Sequence, residues 1–336
     1  MNFDKILVLQ QNALGDVVIS TGVLKAIRDQ FPNSKLAFLV SPQTADLMKL
    51  PFVDELVIYD KGMPILPVVR QIWRYDVAIC LDFKYRSAVL PFLARIPVRA
   101  GLAHKRKLFM THTVERPSDS EQMYFSEYMA NVIRETIGLE LTHDATHLHV
   151  APATPADVAV VDRVMEPIPA SKVKIAIAPF SSTPMKNWLV SYYKEFMIYL
   201  ASKYDCQFFI LGGNGDRPLS FPVFENVTDL RGDLKLTGTA ELLRRMDYFV
   251  GSCSAPLHIA AAVDKPLLAF YGPTSSAKWA PVHRCIHIEH PQPCTPCDRV
   301  GYGSRCNGDN KCMKSITVAE GIHAMEQLMA QYPYKR

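Results

Sequence analysis

The chain is 336 residues long, room for two domains rather than one, and its 49% hydrophobic and 21% charged residues suit a globular protein with large cores. Its 37 lysines and arginines against 33 acids leave a net charge of +4, too mild to mark a nucleic-acid binder. No run of about 18 apolar residues occurs, and Asp4, Lys5 and Asp16 interrupt the start of the chain. A spanning helix and a signal peptide are therefore not expected, and a cytoplasmic protein is.

Strand-like and helix-like runs alternate, the pattern of βα units on parallel sheets. In the first half, strands are predicted at 5–9, 35–40, 55–59, 77–81 and 98–102, with a longer helix at 121–137. The first strand runs through Asn12-Ala-Leu-Gly15-Asp16 straight into a helix, whose Val18, Ile19, Val23, Ala26 and Ile27 follow helical spacing. Asp16 thus stands at a helix N-terminus beyond the carboxyl end of a strand, where ligands bind in open α/β sheets. It is either a functional carboxylate kept ionised by the helix dipole or an N-cap worth about 1 kcal/mol. Past the fourth strand, Asp82-Phe-Lys84-Tyr-Arg86 and the run His104-Lys105-Arg106-Lys107 offer cations for an acidic ligand, or simply a solvated charged face.

The stretch Ala151-Pro-Ala-Thr-Pro155 reads as a linker between domains 1–152 and 153–336. In the second half, strands are predicted at 173–179, 206–211, 248–251 and 267–271, and helices at 191–204, 239–246, 256–263 and 318–329. The last of these is a candidate to pack back on the first domain. Two α/β halves joined by a linker imply a cleft between them, a natural place for a ligand.

Three loops follow strands of the second half. Ser181-Ser182-Thr183-Pro-Met-Lys186-Asn-Trp188 offers small donors and one point charge, as a phosphate site requires. Gly212-Gly-Asn-Gly-Asp216 permits a close approach and supplies an acid able to accept from a ribose, although such turns are common. Ser252-Cys253-Ser254-Ala255-Pro256-Leu-His258 turns a strand into a small-residue helix, with Ser254 as a cap, Pro256 in its first turn and amides free for a diphosphate. A lone His258 is more often a structural hydrogen-bonder than a catalyst.

Taken together, Asn12–Asp16, the Ser181–Lys186–Trp188 loop, Ser252–His258 with its alanines, and Tyr271-Gly-Pro-Thr274 resemble the ADP-heptose:lipopolysaccharide heptosyltransferases, glycosyltransferase family 9. The resemblance runs from about residue 5 to 330. It implies a GT-B fold, two Rossmann-like domains with parallel sheets facing a central cleft, the acceptor on the first and the nucleotide sugar on the second. It also implies inverting, metal-independent transfer of heptose from ADP-heptose to a lipid-anchored, acidic inner-core acceptor, with no cofactor and contact with the inner membrane. On that resemblance Asp16 is the general base. Ser181, Ser182, Thr183, Lys186, Asp216, Ser254, Ala255 and His258 bind the donor, and Lys84, Arg86, Lys105 and Arg106 the acceptor. Where the family has an acid, then Ser or Thr, then Gly, this chain has Cys253, Ser254 and Ala255, which bears on the donor sugar or on the strength of the activity. A nucleotide-sugar epimerase of GT-B fold and a non-catalytic nucleotide-sugar binder are the alternatives.

Cys294 and Cys297 are spaced as CxxC, with Cys306 and Cys312 beyond. That pattern fits a structural zinc site, though the wider second spacing leaves free thiols or a disulfide open.

Overall fold

In the computed structural model, which describes residues 3–297 and 305–334, the chain divides into two compact units, Met1–Pro152 and Ala153–Arg336. The first unit contains β1 (Lys5–Leu9), α1 (Leu14–Gln30), β2 (Lys35–Val40), β3 (Glu55–Ile58), α2 (Ile65–Gln71), β4 (Val77–Cys80), α3 (Tyr85–Leu93), β5 (Val98–Leu102), β6 (His112–Val114) and α4 (Phe125–Ile137). Its six strands are parallel in the order β3-β2-β1-β4-β5-β6, with Leu7 of β1 level with Ala37 of β2 and Ala78 of β4. Helices cover both faces, so β1, β2 and β4 are nearly continuous apolar runs rather than alternating ones. Leu7, Leu9, Leu39, Val57, Tyr75 and Ile96 meet in one core. On α1, Gly22 is dictated by close approach, since a Cβ there would lie 1.9 Å from the Ala145 carbonyl oxygen.

The second unit repeats the plan with α5 (Pro155–Met165), β7 (Val173–Ala178), α6 (Val190–Lys203), β8 (Cys206–Ile210), β9 (Val227–Asp229), α7 (Leu236–Arg244), β10 (Tyr248–Ser252), α8 (Ala255–Ala262), β11 (Leu267–Tyr271), α9 (Ser276–Trp279), β12 (Cys285–Glu289), α10 (Lys311–Lys314) and α11 (Val318–Gln331). The sheet is again parallel, in the order β12-β11-β10-β7-β8-β9. Trp188 lies in the core, stacked on Phe270 with ring centroids 4.3 Å apart and donating from Nε1 to the Ile316 carbonyl at 2.9 Å.

The 151–155 stretch is not only a linker: Thr154 caps α5, its hydroxyl accepting from the Asp157 N–H at 3.2 Å in a reciprocal capping box. The last helix lies against its own unit, on α6, β11 and β12, because Ala324, Met325 and Leu328 form an apolar face that completes the second core. Among the described residues no helix is long and apolar enough to cross a membrane.

In each sheet the chain reverses direction of travel beside its first strand, between β1 and β4 and between β7 and β10. Loops leaving the carboxyl ends of those neighbouring strands flank a crevice, the usual ligand position in such sheets. The loops that carry Asp16, Lys84, Lys186 and Ser254 leave those four strands.

Candidate functional site

In the first unit, α1 begins at Leu14, with Ala13 as its N-cap and no side-chain capping bond. Asp16 is therefore not the cap. It sits half-buried in the first turn, where the helix dipole favours a carboxylate. Beside this loop Asp82 is fully buried at the end of β4. Its carboxylate accepts from the Gln11 N–H at 2.8 Å, the Lys84 N–H at 2.9 Å and the Ser87 hydroxyl at 2.8 Å. One acid thus ties the Asp16-bearing loop to the loop that carries Lys84. Burial pushes its carboxyl above the usual range, opposed by the Ser87, Gln11 and Lys84 hydrogen bonds and the Arg106 charge.

Lys84 and Arg86, both expected at an acceptor, lie half-buried on the same rim. The Lys84 ammonium donates to the Gln11 carbonyl, and Arg86 donates to Gln11 Oε1 at 3.1 Å and pairs with Asp60 at 3.3 Å. Burial and then the Arg86 charge hold Lys84 below its ordinary pKa, against the pull of Asp82, Asp60 and Asp16. Asp16 and Lys84 are therefore electrostatic neighbours.

The basic run beyond β5 behaves differently. Lys105 is exposed, whereas Arg106, expected to meet an acceptor, is 1% exposed. Its guanidinium donates to the Lys84 and Leu102 carbonyls at 3.2 and 2.8 Å and lies 3.8 Å from Asp82. Arg106 holds the fold of this edge because a buried guanidinium requires such partners. Its Nε is buried with no hydrogen-bond partner among the described residues.

In the second unit, the loop after β7 is shaped by its own small residues. The Ser181 hydroxyl donates to the Thr183 carbonyl at 2.7 Å, and Asn187 Oδ1 accepts from the Ser181 N–H at 2.9 Å. Ser182 is exposed, Thr183 precedes a short turn at Pro184–Lys186, and Lys186 is half-buried at its end. The Lys186 charge reaches His258, so the structure brings these two predicted residues together.

Ser254 is the N-cap residue of α8 and Ala255 its first helical residue, with Pro256 next. Ala255 has an ordinary backbone conformation, so the methyl group where the family has glycine imposes no strain. Ser254 makes no side-chain capping bond. Its Oγ, His258 Nδ1 and Thr274 Oγ1 are buried without a hydrogen-bond partner among the described residues. Buried polar atoms are normally satisfied, so three orphans around one helix N-terminus and the neighbouring strand end mark a place for a polar ligand. Burial, and then the Lys186 charge, pushes the His258 imidazole down to about 3, which keeps it neutral. Asp216 takes a more local role, with one carboxylate oxygen accepting from the Gly213 N–H at 2.8 Å and bracing the turn.

Sequence reasoning passed over Asp82 and Gln11 as site residues and did not single out the Thr274 hydroxyl. The only signal for Asp82 was its place just past a strand end.

The model of glycosyltransferase family 9 (heptosyltransferase) matches residues 69–302. The chain belongs to glycosyltransferase family 9. Membership of this family makes it a glycosyltransferase. Lipooligosaccharide heptosyltransferase 2 of Haemophilus influenzae is 22% identical, with 97% of this chain and 99% of that protein aligned. Among solved structures, a family 9 glycosyltransferase from Veillonella parvula superposes with a TM-score of 0.81 at 20% identity, covering 98% of this chain and 97% of that one. The ADP-heptose LPS heptosyltransferase II of E. coli gives 0.77 at 20% identity, over 97% and 99%. The two Rossmann-like units of this family 9 chain are those of the GT-B fold.

Proposed function

We propose that this family 9 enzyme transfers heptose from ADP-heptose to the inner core of a lipopolysaccharide acceptor, with inversion and without a divalent metal at the diphosphate. The observation that carries the reading is the set of orphaned polar atoms at Ser254, His258 and Thr274 around the α8 N-terminus, beside Lys186. Helix amides, hydroxyls and one lysine are the groups that stabilise a departing diphosphate when no metal does so. Thr183, Ser182 and Ser181 border the same loop, and Asp216 fixes the turn against which a ribose would lie.

The acceptor hydroxyl attacks the anomeric carbon from the face opposite ADP. The bond to the β-phosphate oxygen breaks, ADP leaves with the electron pair, and Asp16 takes the hydroxyl proton. An ionised carboxylate is a weak base for an alcohol, so the proton moves late, once bond formation has acidified the hydroxyl. Lys84 and Arg86, with the exposed Lys105, provide cations for the acidic acceptor. The reading places the enzyme in the cytoplasm, peripheral to the inner membrane that anchors its acceptor, with no nucleic-acid partner.

Asp16→Asn tests the assignment. Transfer should fall by about 10²–10⁴-fold, while ADP affinity, measured by calorimetry, stays within experimental error. A parallel loss of ADP binding would make Asp16 a structural residue. ADP binding by the unaltered chain with no turnover on any core acceptor would leave the non-catalytic binder, the reading motivated by Cys253.

A further inference from the structure

Between Lys61 and Lys107 the chain carries ten lysines and arginines and two acids, a net +8 in a protein whose total is +4. Of the two acids, Asp82 is buried and Asp76 accepts from the Asp4 and Lys5 N–H groups at 2.8 Å. The acids bordering the segment, Asp60 and Glu115, are paired with Arg86 at 3.3 Å and Lys107 at 2.8 Å. The same segment leaves large apolar side chains open to water: Leu66 is 63% exposed, Trp73 45%, Tyr85 56% and Leu108 81%, and Phe92 and Leu93 are exposed as well. Cations and apolar groups thus share one stretch of chain whose surface offers little negative charge.

The fold turns this composition into a face. Helices α2 and α3 lie side by side on the first sheet. Val68, Val69 and Ile72 from the first helix, with Ala88 and Leu90 from the second, enter the core beneath. Leu66, Arg70 and Trp73 recur at i, i+4 and i+7, one stripe of a helix, and all three are exposed. Tyr85 and Phe92 of α3 recur at i and i+7, and both rings meet Phe109 edge-on, with centroids 5.0 and 5.2 Å apart. The Arg99 guanidinium lies 5.6 Å over the Phe92 ring and donates to the Phe109 carbonyl at 2.6 Å, which fixes this aromatic cluster beside Leu108. A soluble monomer seldom leaves such a patch open unless something covers it.

We propose that the outer surface of α2, α3 and the 107–109 turn docks on a bilayer of anionic phospholipids. Its apolar side chains enter the boundary between headgroups and acyl chains, while Lys61, Arg70, Arg74, Arg95 and Lys107 meet lipid phosphates. Tryptophan and tyrosine favour that boundary because each joins an apolar ring to a polar edge. Lysine and arginine stems lie along apolar surface and keep their charged heads at the phosphates. A second copy of the chain is a poor occupant, since a two-fold contact would set cations against cations. Helix α3 starts just after Lys84, so the face begins beside the cations assigned to the acceptor. Docking would present that rim to a lipid-anchored sugar. That last link rests on the proposed transfer; the docking does not.

The test is flotation of the full chain with vesicles. It needs neither donor nor acceptor, so its outcome is independent of the transfer reading. The chain should float with vesicles of equal parts phosphatidylglycerol and phosphatidylcholine and come off as salt is raised. Pure phosphatidylcholine should bind it about tenfold more weakly or less. On the mixed vesicles tryptophan emission should shift to the blue, and Trp73→Phe should remove the shift while flotation persists, because Trp188 is already buried. Arg70→Gln, Arg95→Gln and Lys107→Gln together should cut partitioning about a hundredfold, at about fivefold per cation. Leu66→Ser with Leu108→Ser should cut it about tenfold or more. These five positions lie outside the donor and acceptor sets, so both variants should keep the melting temperature and the ADP affinity of the unaltered chain. An unaltered chain that binds neither vesicle, binds both alike, or binds without a Trp73 shift overturns the proposal, as does flotation indifferent to both sets of changes. Self-association abolished by the leucine changes, in place of vesicle binding, overturns it in favour of a second copy.

Discussion

His258 is 3% exposed and burial pushes its imidazole down to about 3, against an ordinary value of 6.5. The unfolded chain therefore binds a proton below pH 6.5 that the native chain does not. The stability it contributes is complete above that pH and is lost as the pH falls toward 3, by about 1.4 kcal/mol per unit. Between about pH 7 and pH 5 the unaltered protein should lose roughly 2 kcal/mol more than His258→Gln, read from urea midpoints. Equal losses would mean that the ring is solvated. Lys186 acts on the same group through its charge, and its own role is separable. Lys186→Ala should weaken ADP binding by about tenfold or more, the value of a charge-assisted hydrogen bond of about 1.5–3 kcal/mol. Unchanged affinity in calorimetry would remove Lys186 from the phosphate site. These residues stood out in the sequence because each lies within a few residues of the loop that follows a strand. Asp82 and Arg106 did not, because their roles come from partners far along the chain. Gln11, which donates to Asp82, is 71 residues away, and a buried arginine looks like any other member of a basic run until its neighbours are known.

At the scale of elements, the long apolar strands β1, β2, β4, β7, β8, β10 and β11 were legible because both faces of each sheet are covered and the runs are unbroken. The three-residue strands β6 and β9 and the edge strand β12 were not, since short or half-exposed segments carry too little pattern to be told from loop. Helix α5 was masked by its prolines, although Pro155 stands in the first turn, where proline is tolerated. Packing leaves its own mark on α1. Gly22→Ala keeps helix propensity or improves it, so an isolated helix would gain by about 1 kcal/mol. Here the added methyl meets the Ala145 backbone, which cannot swing aside as a side chain would. The variant should instead lose about 1–3 kcal/mol in urea unfolding, the usual cost of overpacking. A gain would mean that the 144–148 segment yields freely to α1.

At the scale of the whole molecule, the same strand order is built twice, and the loops at the two reversal points differ in chemistry. The first unit presents a carboxylate on a helix turn beside Lys84 and Arg86. The second presents helix amides, hydroxyls and Lys186. A nucleotide that needs the latter set should therefore stabilise the second unit selectively. At a hundred times its dissociation constant ADP contributes about 2.7 kcal/mol to whatever it binds. Hydrogen exchange on the full chain, without added Mg²⁺ or Mn²⁺, should show new protection in 181–188, 252–258 and 272–274 but not in α1 or α3. A requirement for added divalent metal would replace the helix-amide account of leaving-group stabilisation with a metal-bridged one. Protection appearing on α1 instead would put the nucleotide on the unit that carries Asp16, and the assignment of donor and acceptor to the two units would be reversed.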